Sequence, residues 1–168
     1  MSHAPDAKPV RQSQVTVSQL MLPEDANASG NVHGGAVLKL IDSAAAVAAM
    51  RHCRQRVVTA RLDEMSFLRP VFIGNLLTIR ASVNDVGSTS MEVGVRAEAE
   101  DLATGETWHV ASAYLVYVAL GADGTPVPVP RLVAETDTER RRMEAAKRRR
   151  ELRRRHGEEL ARLGLKPG

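Results

Sequence analysis

The stretch GAVLKLIDSAAAVAAMRHC, residues 35–53, is the strongest helix that this sequence of 168 residues predicts. Alanine, leucine and valine fill most of its positions, and a helix that is apolar nearly all round must be enclosed on most sides. A chain of this length buries one core but is short of two full-sized domains. The remaining segments must therefore build, within one domain, a structure that wraps this helix.

The segments around the helix show the two-residue period of β-strands. The alternation covers residues 14–22, 77–84 and 91–100, and a turn at 101–105 leads into a strand over 106–120. Ser112 is the one clearly polar residue in the second part of that last strand, which predicts a central strand with one face on the helix and the other against a partner subunit. One helix with about five antiparallel strands predicts an α+β hotdog fold, an antiparallel sheet wrapped around a central helix.

Composition divides the chain into three parts. Residues 1–13 are expected to be a flexible N-terminus, residues 14–134 the hotdog domain, and residues 135–168 a charged extension with a helix over about 138–163. The segment after Gly121 contains prolines at 126, 128 and 130 and therefore cannot lie in the interior of a sheet. It is expected to connect the domain to the charged extension and is called here the exit strap. The extension holds 12 Lys and Arg against 7 Asp and Glu, so the positive charge of the chain belongs to it.

Several classes of protein do not fit this composition. No apolar stretch reaches the ~20 residues of a membrane span, and the N-terminus does not resemble a secretory signal. The lone Cys53 offers neither an internal disulfide nor a zinc ligand cluster. Five aromatic residues without interleaved basic residues do not resemble a nucleic-acid groove. The sequence therefore predicts a cytoplasmic protein whose globular part does not read nucleic acids.

Asp42 is the residue of the core helix that stands out chemically. A carboxylate on a buried helix is costly unless it is paired or used. One interpretation is a salt bridge with Lys39, three residues back on the same helix surface. The other is a catalytic acid, and position alone does not choose between them.

The segment NVHGG, residues 31–35, favours the catalytic interpretation. Paired glycines at a helix start let a substrate approach free backbone N–H groups, where the helix dipole favours negative charge on an oxygen. Gly34 and Gly35 are therefore candidate oxyanion donors, although such pairs often only turn the chain, and Asn31 could be an ordinary cap or turn residue. His33 ranks below Asp42 as a base, because no acid or hydroxyl at a recognisable spacing marks it as part of a triad.

A series of motifs, in order along residues 14–145, carries a resemblance to a known family. These are NASGNVHGG (27–35), LID (40–42), RHC (51–53), VVTA (57–60), Phe67 with Pro70 and Gly74, GSTSMEV (87–93) and VPVP (127–130). Together they resemble the cytosolic acyl-CoA hydrolases, which are hotdog-fold thioesterases. The resemblance implies hydrolysis of a fatty acyl-CoA thioester to the free fatty acid and coenzyme A. Coenzyme A is thus a part of the substrate and a product of the reaction, and the resemblance implies no cofactor or metal.

The resemblance also implies a site shared between two hotdog units. The catalytic amide of the family matches Asn31 and its catalytic acid matches Asp42, contributed from opposite units. Because this chain has a single unit, the expectation is a homo-oligomer, a dimer at minimum and a trimer of dimers by analogy with relatives. Coenzyme A is expected to lie along Thr59, Ala60 and Arg61 on one strand and along Thr89, Ser90 and Met91 at a turn.

Some features leave alternatives open. The turn around Ser88 is a plain hairpin by composition. Relatives often carry a basic residue at that position, so Ser88 removes a possible contact with a coenzyme A phosphate. Arg51 and His52 could hold phosphates or only favour the helix dipole. The charged extension fits a solvated, salt-bridged helix, a nucleic-acid or membrane surface, or a contact with coenzyme A of a neighbouring subunit.

Two classes of function follow from this reading. The first is a thioesterase, and the second is a non-catalytic acyl-CoA sensor or scaffold. The presence of both Asn31 and Asp42 favours the enzyme. A hotdog hydratase is disfavoured because His33 and Asp42 do not match its usual catalytic pattern.

Overall fold

A long helix packed on one face of a five-stranded sheet forms the centre of the molecule in the computed structural model, which describes residues 7–165. The elements in chain order are β1 (Lys8–Pro9), β2 (Val15–Leu20), α1 (Gly34–Cys53), β3 (Arg56–Phe67), β4 (Leu76–Val86), β5 (Ser90–Glu100), β6 (Thr107–Leu120), β7 (Leu132–Val133) and α2 (Asp137–Arg162). None of the described helices is long and apolar enough to cross a membrane.

The main sheet is antiparallel and has the strand order β2-β4-β5-β6-β3. Alternate side chains of its strands, such as Ile79, Val93 and Leu115, point towards α1 and are buried. β2 and β3 form the two edges. The predicted α+β architecture, with an antiparallel sheet against one central helix, is confirmed.

α1 keeps one stripe open to solvent. Its alanines, among them Ala45 and Ala49, are fully buried against the sheet and allow a close approach of the backbone. On the opposite side, Val47 and Met50 are 37% and 40% exposed. Within one protomer the sheet therefore encloses α1 on most sides but leaves an apolar stripe that a second surface can cover.

The segment preceding β2 is ordered, in contrast to the predicted flexible N-terminus. β1 pairs in parallel with β7, and Val10 is buried. Ser13 is fully buried: its hydroxyl donates to the Val10 carbonyl and accepts a hydrogen bond from the Val83 amide. For residues 8–13 the prediction of flexibility is therefore wrong, because these contacts fasten the segment to β4 and to the exit strap. Residues 1–6 of that prediction lie outside the described residues.

α2 folds back on the face of the sheet that is turned away from α1, called here the outer face. Thr136 and Glu139 form a capping box at its start. Arg149 stacks over the ring of Tyr114, with 3.7 Å between the guanidinium carbon and the ring centroid. The prediction that a partner subunit covers the second face of β6 is thus wrong around Tyr114, where α2 of the same chain lies.

Buried ion pairs attach α2 to the sheet. Glu92, which is 3% exposed, accepts hydrogen bonds from Arg149 and Arg153, and Arg153 also reaches Asp63. Arg150 pairs with Asp85 over 3.2 Å. The i,i+3 and i,i+4 pairs expected for a salt-bridged helix are present as well, for example between Arg155 and Glu151. One side of α2 therefore matches the prediction of a solvated helix, while the other side is an interface.

Candidate active site

Asp42 is held by two hydroxyl groups. Its Oδ1 accepts hydrogen bonds from Thr59 Oγ1 at 2.9 Å and from the Tyr117 hydroxyl at 2.8 Å. The Tyr117 hydroxyl is also 2.9 Å from the backbone carbonyl oxygen of Asp42. Lys39 is exposed and forms no ion pair with Asp42 within the described residues, so the salt-bridge interpretation is wrong.

This arrangement leaves one oxygen of the carboxylate available. In the described part of the chain, Oδ2 of Asp42 accepts no hydrogen bond, while Oδ1 is fixed by two donors. Burial, and then the hydrogen bond to Asp42, raise the pKa of the Tyr117 hydroxyl well above its usual value, so that it stays a donor. A half-buried carboxylate oriented in this way can take a proton from a water molecule.

Tyr117 is the site residue that the sequence analysis missed. The strand pattern of β6 assigns it to the apolar face that packs on α1, and it is 0% exposed. A buried tyrosine hydroxyl usually needs a hydrogen-bond partner. The register predicts which one, because Tyr117 lies opposite Thr59 in the β3–β6 pair.

The two glycines at the start of α1 differ in the hydrogen bonding of their backbone N–H groups. His33 is the N-cap residue, and its Nδ1 accepts a hydrogen bond from the Gly35 amide at 2.9 Å. The Gly34 amide donates to no other group among the described residues. The prediction of Gly35 as an oxyanion donor therefore conflicts with the structure, since its N–H is already used by the cap, whereas Gly34 keeps a free N–H at a helix start.

A cavity of about 300 Å³ lies beside Gly34. Apolar side chains form most of its wall, including Val37, Phe67 and Val110. A Cβ atom at position 34 would lie 3.4 Å from the Phe67 ring. The free N–H of Gly34 thus borders a space that suits an apolar group.

The loop before α1 contains two asparagines with different surroundings. Oδ1 of Asn27 accepts from the backbone amides of Ser29 and Asn31, which closes the loop. Asn31 forms a backbone bridge to Phe72 and is half-buried, and its side chain has no hydrogen-bond partner within the described residues. The structure of one protomer therefore shows no direct contact between Asn31 and Asp42.

The predicted coenzyme A residues lie at one end of the sheet. Thr59 and Met91 both face Tyr117 in register, so residues 59–61 and 89–91 are separated only by β6. Ala60 and Arg61 are exposed at a bulge of the edge strand β3. Met91 is 0% exposed and packs in the core of the sheet, so the prediction that it contacts coenzyme A conflicts with the structure.

Comparisons with known proteins show which family this chain is similar to. Residues 29–106 match the thioesterase superfamily. The chain is 40% identical to protein VdlD of Helicobacter pylori, over 84% of this chain and 81% of that protein. It is 38% identical to the uncharacterized acyl-CoA thioester hydrolase YkhA of Bacillus subtilis, over 80% of this chain and 78% of that one.

The solved structures that resemble this chain are also acyl-CoA hydrolases and thioesterases. The acyl-CoA hydrolase from Staphylococcus aureus, bound to butyryl coenzyme A, coenzyme A and coenzyme A disulfide, is similar with a TM-score of 0.86 and 32% identity, covering 94% of this chain and 96% of that one. A hexameric acyl-CoA thioesterase is similar with a TM-score of 0.87 and 38% identity, covering 90% and 97%. The structures of the S. aureus protein include variants in which an asparagine, an aspartate or a threonine is replaced by alanine.

No group of three or more His, Cys, Asp and Glu side chains in the described residues could hold a metal ion.

Proposed function

The chain belongs to the thioesterase superfamily, among its hotdog-fold acyl-CoA thioester hydrolases, and on this premise we propose how its residues cleave the substrate. The reaction converts a fatty acyl-CoA and water to a free fatty acid and coenzyme A. The orientation of the Asp42 carboxylate by Thr59 and Tyr117 is the observation that carries the proposal. The alternative of a non-catalytic sensor does not explain this orientation.

Asp42 acts as the general base. Its free Oδ2 takes a proton from water, and the water oxygen attacks the thioester carbonyl carbon. The carbonyl oxygen becomes an oxyanion next to the Gly34 N–H of the opposite subunit, because Gly34 and Asp42 of one chain are eight residues, about 12 Å, apart along α1. Such a donor typically contributes about 3 kcal/mol to the transition state. When the tetrahedral intermediate collapses, the carbon–sulfur bond breaks and the sulfur of coenzyme A takes the proton from Asp42. The apolar cavity beside Gly34 receives the start of the acyl chain.

Asn31 is proposed as the amide that orients the water or the carbonyl, and Asn27 is its competitor. In the S. aureus variants the replaced asparagine lies 15 residues before the replaced aspartate, and the threonine lies 17 residues after it. The second separation is that between Asp42 and Thr59 in this chain. The separation of 15 residues, counted back from Asp42, leads to Asn27. The free side chain of Asn31 supports Asn31 as the catalytic amide, whereas this spacing supports Asn27.

A dimer through β3 is proposed to complete the site. This edge strand is exposed over most of its length and carries apolar side chains such as Val58 and Leu62, which are 44% and 42% exposed. The open stripe of α1 at Val47 and Met50 adds further apolar surface. Unpaired edge strands with apolar side chains are usually covered in native proteins. Three such dimers would form the hexamer that similar thioesterases adopt.

Coenzyme A is proposed to bind along Thr59, Ala60 and Arg61 and along the turn with Thr89 and Ser90. Their position at one end of the sheet, near Asp42, supports this assignment. The proposed reaction uses only groups of the chain and water, without a cofactor. A cytoplasmic location is proposed because relatives in rat and human are named cytosolic acyl coenzyme A thioester hydrolases.

The test follows release of free thiol from acyl-CoAs of short to long chains. The wild-type protein is expected to release thiol, and Asp42→Asn, which keeps the shape of the side chain, is expected to release almost none. If Asp42→Asn matched the wild type, Asp42 would not be the base. If the wild type bound acyl-CoAs but released no thiol from any of them, the chain would be a sensor instead.

The two asparagines are tested with matched variants. Asn27→Asp and Asn31→Asp each keep an oxygen acceptor and remove the NH₂ donor, and the former also preserves the loop contacts to Ser29 and Asn31. The variant that removes the catalytic amide is expected to lose kcat by about 100-fold, as for other oriented donors. Loss in Asn27→Asp alone would reject the proposed role of Asn31.

A further inference from the structure

We propose that a second cavity, on the outer face of the sheet, binds a small organic phosphate. The cavity of about 410 Å³ lies between α2 and strands β2, β4, β5 and β6. This volume falls within the range of small-molecule sites, ~300–1,000 Å³. The sheet separates it from α1 and Asp42, so it is not part of the proposed acyl-transfer site.

The wall of this outer cavity is positively charged. It contains four arginines and no carboxylate: Arg80, Arg96, Arg142 and Arg149. On the same face of β5, outside the lining of the cavity, Glu98 pairs with both Arg80 and Arg96, and Glu92 pairs with Arg149. Arg142 forms no ion pair within the described residues. Two arginines sharing one glutamate, together with this unpaired arginine, give the cavity an excess of positive charge that suits an anion.

Two buried polar side chains on the wall lack partners. Asn84 is 6% exposed and Ser82 is 9% exposed, and neither side chain forms a hydrogen bond with another described residue. Among the described residues, the fully buried side-chain N or O atom without a partner belongs to His52, so the polar atoms of Asn84 and Ser82 are open to the cavity. The Asn84 amide occupies the space over Gly94, where a Cβ atom would overlap it. The close packing of Asn84 on the glycine therefore holds an amide donor at the cavity.

These groups suit a phosphate, because several arginines converge on one cavity and a phosphate carries more charge than a carboxylate. The planar guanidinium fork of arginine matches the oxygens of a phosphate with two parallel hydrogen bonds. The Asn84 amide and the Ser82 hydroxyl supply further donors. Tyr114, Val15 and Ala145 line other parts of the wall. Their apolar surfaces leave room for the organic part of the ligand.

The proposal is tested by titration calorimetry of the full-length protein with three probes. Inorganic phosphate and AMP carry the phosphate group, and adenosine lacks it. AMP is expected to bind more tightly than phosphate, and adenosine is expected not to bind. Because phosphate contacts are electrostatic, the affinity for AMP is expected to fall as the salt concentration rises.

Matched variants locate the binding. Arg142→Ala removes a charge from the wall, while Arg141→Ala removes the same charge from an exposed neighbour that does not line the cavity. The dissociation constant for AMP is expected to rise about tenfold or more in Arg142→Ala and to change less than about twofold in Arg141→Ala. Asn84→Asp, which places a negative charge on the wall without changing its shape, is expected to weaken binding as well. All variants should keep wild-type thiol release.

Four results would overturn the proposal. The first is an absence of binding by both phosphate and AMP, which would mean that water alone fills the cavity. The second is equal binding by the two arginine variants. The third is a smaller oligomer in Arg142→Ala, which would make the cavity a contact between subunits. The fourth is a loss of affinity for coenzyme A alone, which would make the cavity part of the substrate site.

Discussion

At the scale of single residues, the Thr59 and Tyr117 hydroxyls fix the orientation of the Asp42 carboxylate. Tyr117→Phe removes one of the two hydrogen bonds to Asp42 Oδ1 and leaves the ring in the core. Because the carboxylate is then less well oriented, we expect kcat to fall by about tenfold with KM nearly unchanged. Steady-state kinetics of thiol release measures both constants.

The threonine provides the control for this effect. Thr59→Val removes the second hydroxyl with little change of shape and is expected to lower kcat in the same way. Thr59→Ser keeps the hydroxyl and is expected to retain most of the wild-type kcat. A loss in Thr59→Ser as large as in Thr59→Val would indicate that packing, and not the hydrogen bond, matters at this position. In the double variant Tyr117→Phe with Thr59→Val, a larger loss than in either single variant is expected.

The sequence identifies some of these residues better than others. Asp42 stands out because an acid on an apolar helix is unusual, and the residue is indeed held by specific partners. Tyr117 is apolar in pattern, and its role depends on the register of β6 against β3. The use of the Gly35 N–H by His33 depends on a side-chain rotamer, which residue spacing does not determine.

At the scale of elements, a buried cluster of charges attaches α2 to the sheet. Glu92→Gln leaves Arg149 and Arg153 partly buried without their shared negative charge. Since breaking a buried ion pair typically costs 3–5 kcal/mol, the free energy of unfolding is expected to fall by about 3 kcal/mol. Urea denaturation measures this change.

An exposed pair on the same helix gives the comparison. Glu144→Gln breaks the pair with Lys147, and both side chains are largely exposed. We expect a loss below about 1 kcal/mol there, because water and salt screen such pairs. Equal losses in the two variants would mean that the Glu92 cluster does not hold α2 in place.

The exit strap has a pH-sensitive attachment at His52. This residue is 0% exposed, and its Nε2 bonds to the Pro130 carbonyl, while Lys8 reaches its backbone carbonyl. Burial is the main reason that the pKa of His52 lies below its usual value of 6.5; the hydrogen bond to Pro130 opposes this shift, and the charge of Lys8 adds to it.

The sign of the pH effect follows from the lowered pKa. Below pH 6.5, His52 is protonated in the unfolded chain but stays neutral in the folded chain until the pH reaches its lower folded-state pKa. Because the unfolded state binds more protons in this window, the free energy of unfolding decreases as the pH falls through it. His52→Gln keeps a donor for Pro130 and does not titrate. Urea denaturation at pH 7.5 and 5.5 should therefore show a smaller loss in the variant; a loss equal to that of the wild type would contradict the assignment.

The elements were more predictable than their contacts. The charged helix is predicted over about 138–163 and extends over Asp137–Arg162, because its capping box and charge pattern are local. Which of its many arginines meets Glu92 depends on the path of the strap, and no local pattern reports it. The same holds for residues 8–13, whose order comes from pairing with a strand more than 120 residues away.

At the scale of the whole molecule, one protomer leaves apolar surface uncovered. Its edge strand β3 and the open stripe of α1 expose apolar side chains, and its Asn31 side chain lies free of Asp42. A two-fold interface uses the same surface on both subunits, so each dimer would contain two equivalent sites. The sequence predicts this uncovered surface only through the resemblance, because exposure of a strand edge is a property of the folded chain.

Mixing two inactive variants tests whether the sites are shared. One variant carries Asp42→Ala and the other lacks the catalytic asparagine, Asn31 or Asn27 as the matched variants decide. If the two residues come from opposite subunits, half of the randomly formed dimers are mixed, and each mixed dimer has one intact site and one doubly altered site. Coexpression should then restore about one quarter of the wild-type activity per site.

The opposite arrangement predicts a different number. If the asparagine and Asp42 of one site came from the same chain, every site in every mixed dimer would lack one of them, and coexpression would restore no activity. A third mixture, of Asp42→Ala with wild type, calibrates the assay, because its activity falls in proportion to the intact aspartates in either arrangement. Recovery therefore depends only on how the two residues are divided between the chains, so the mixtures separate a shared site from a dimer in which each protomer works alone.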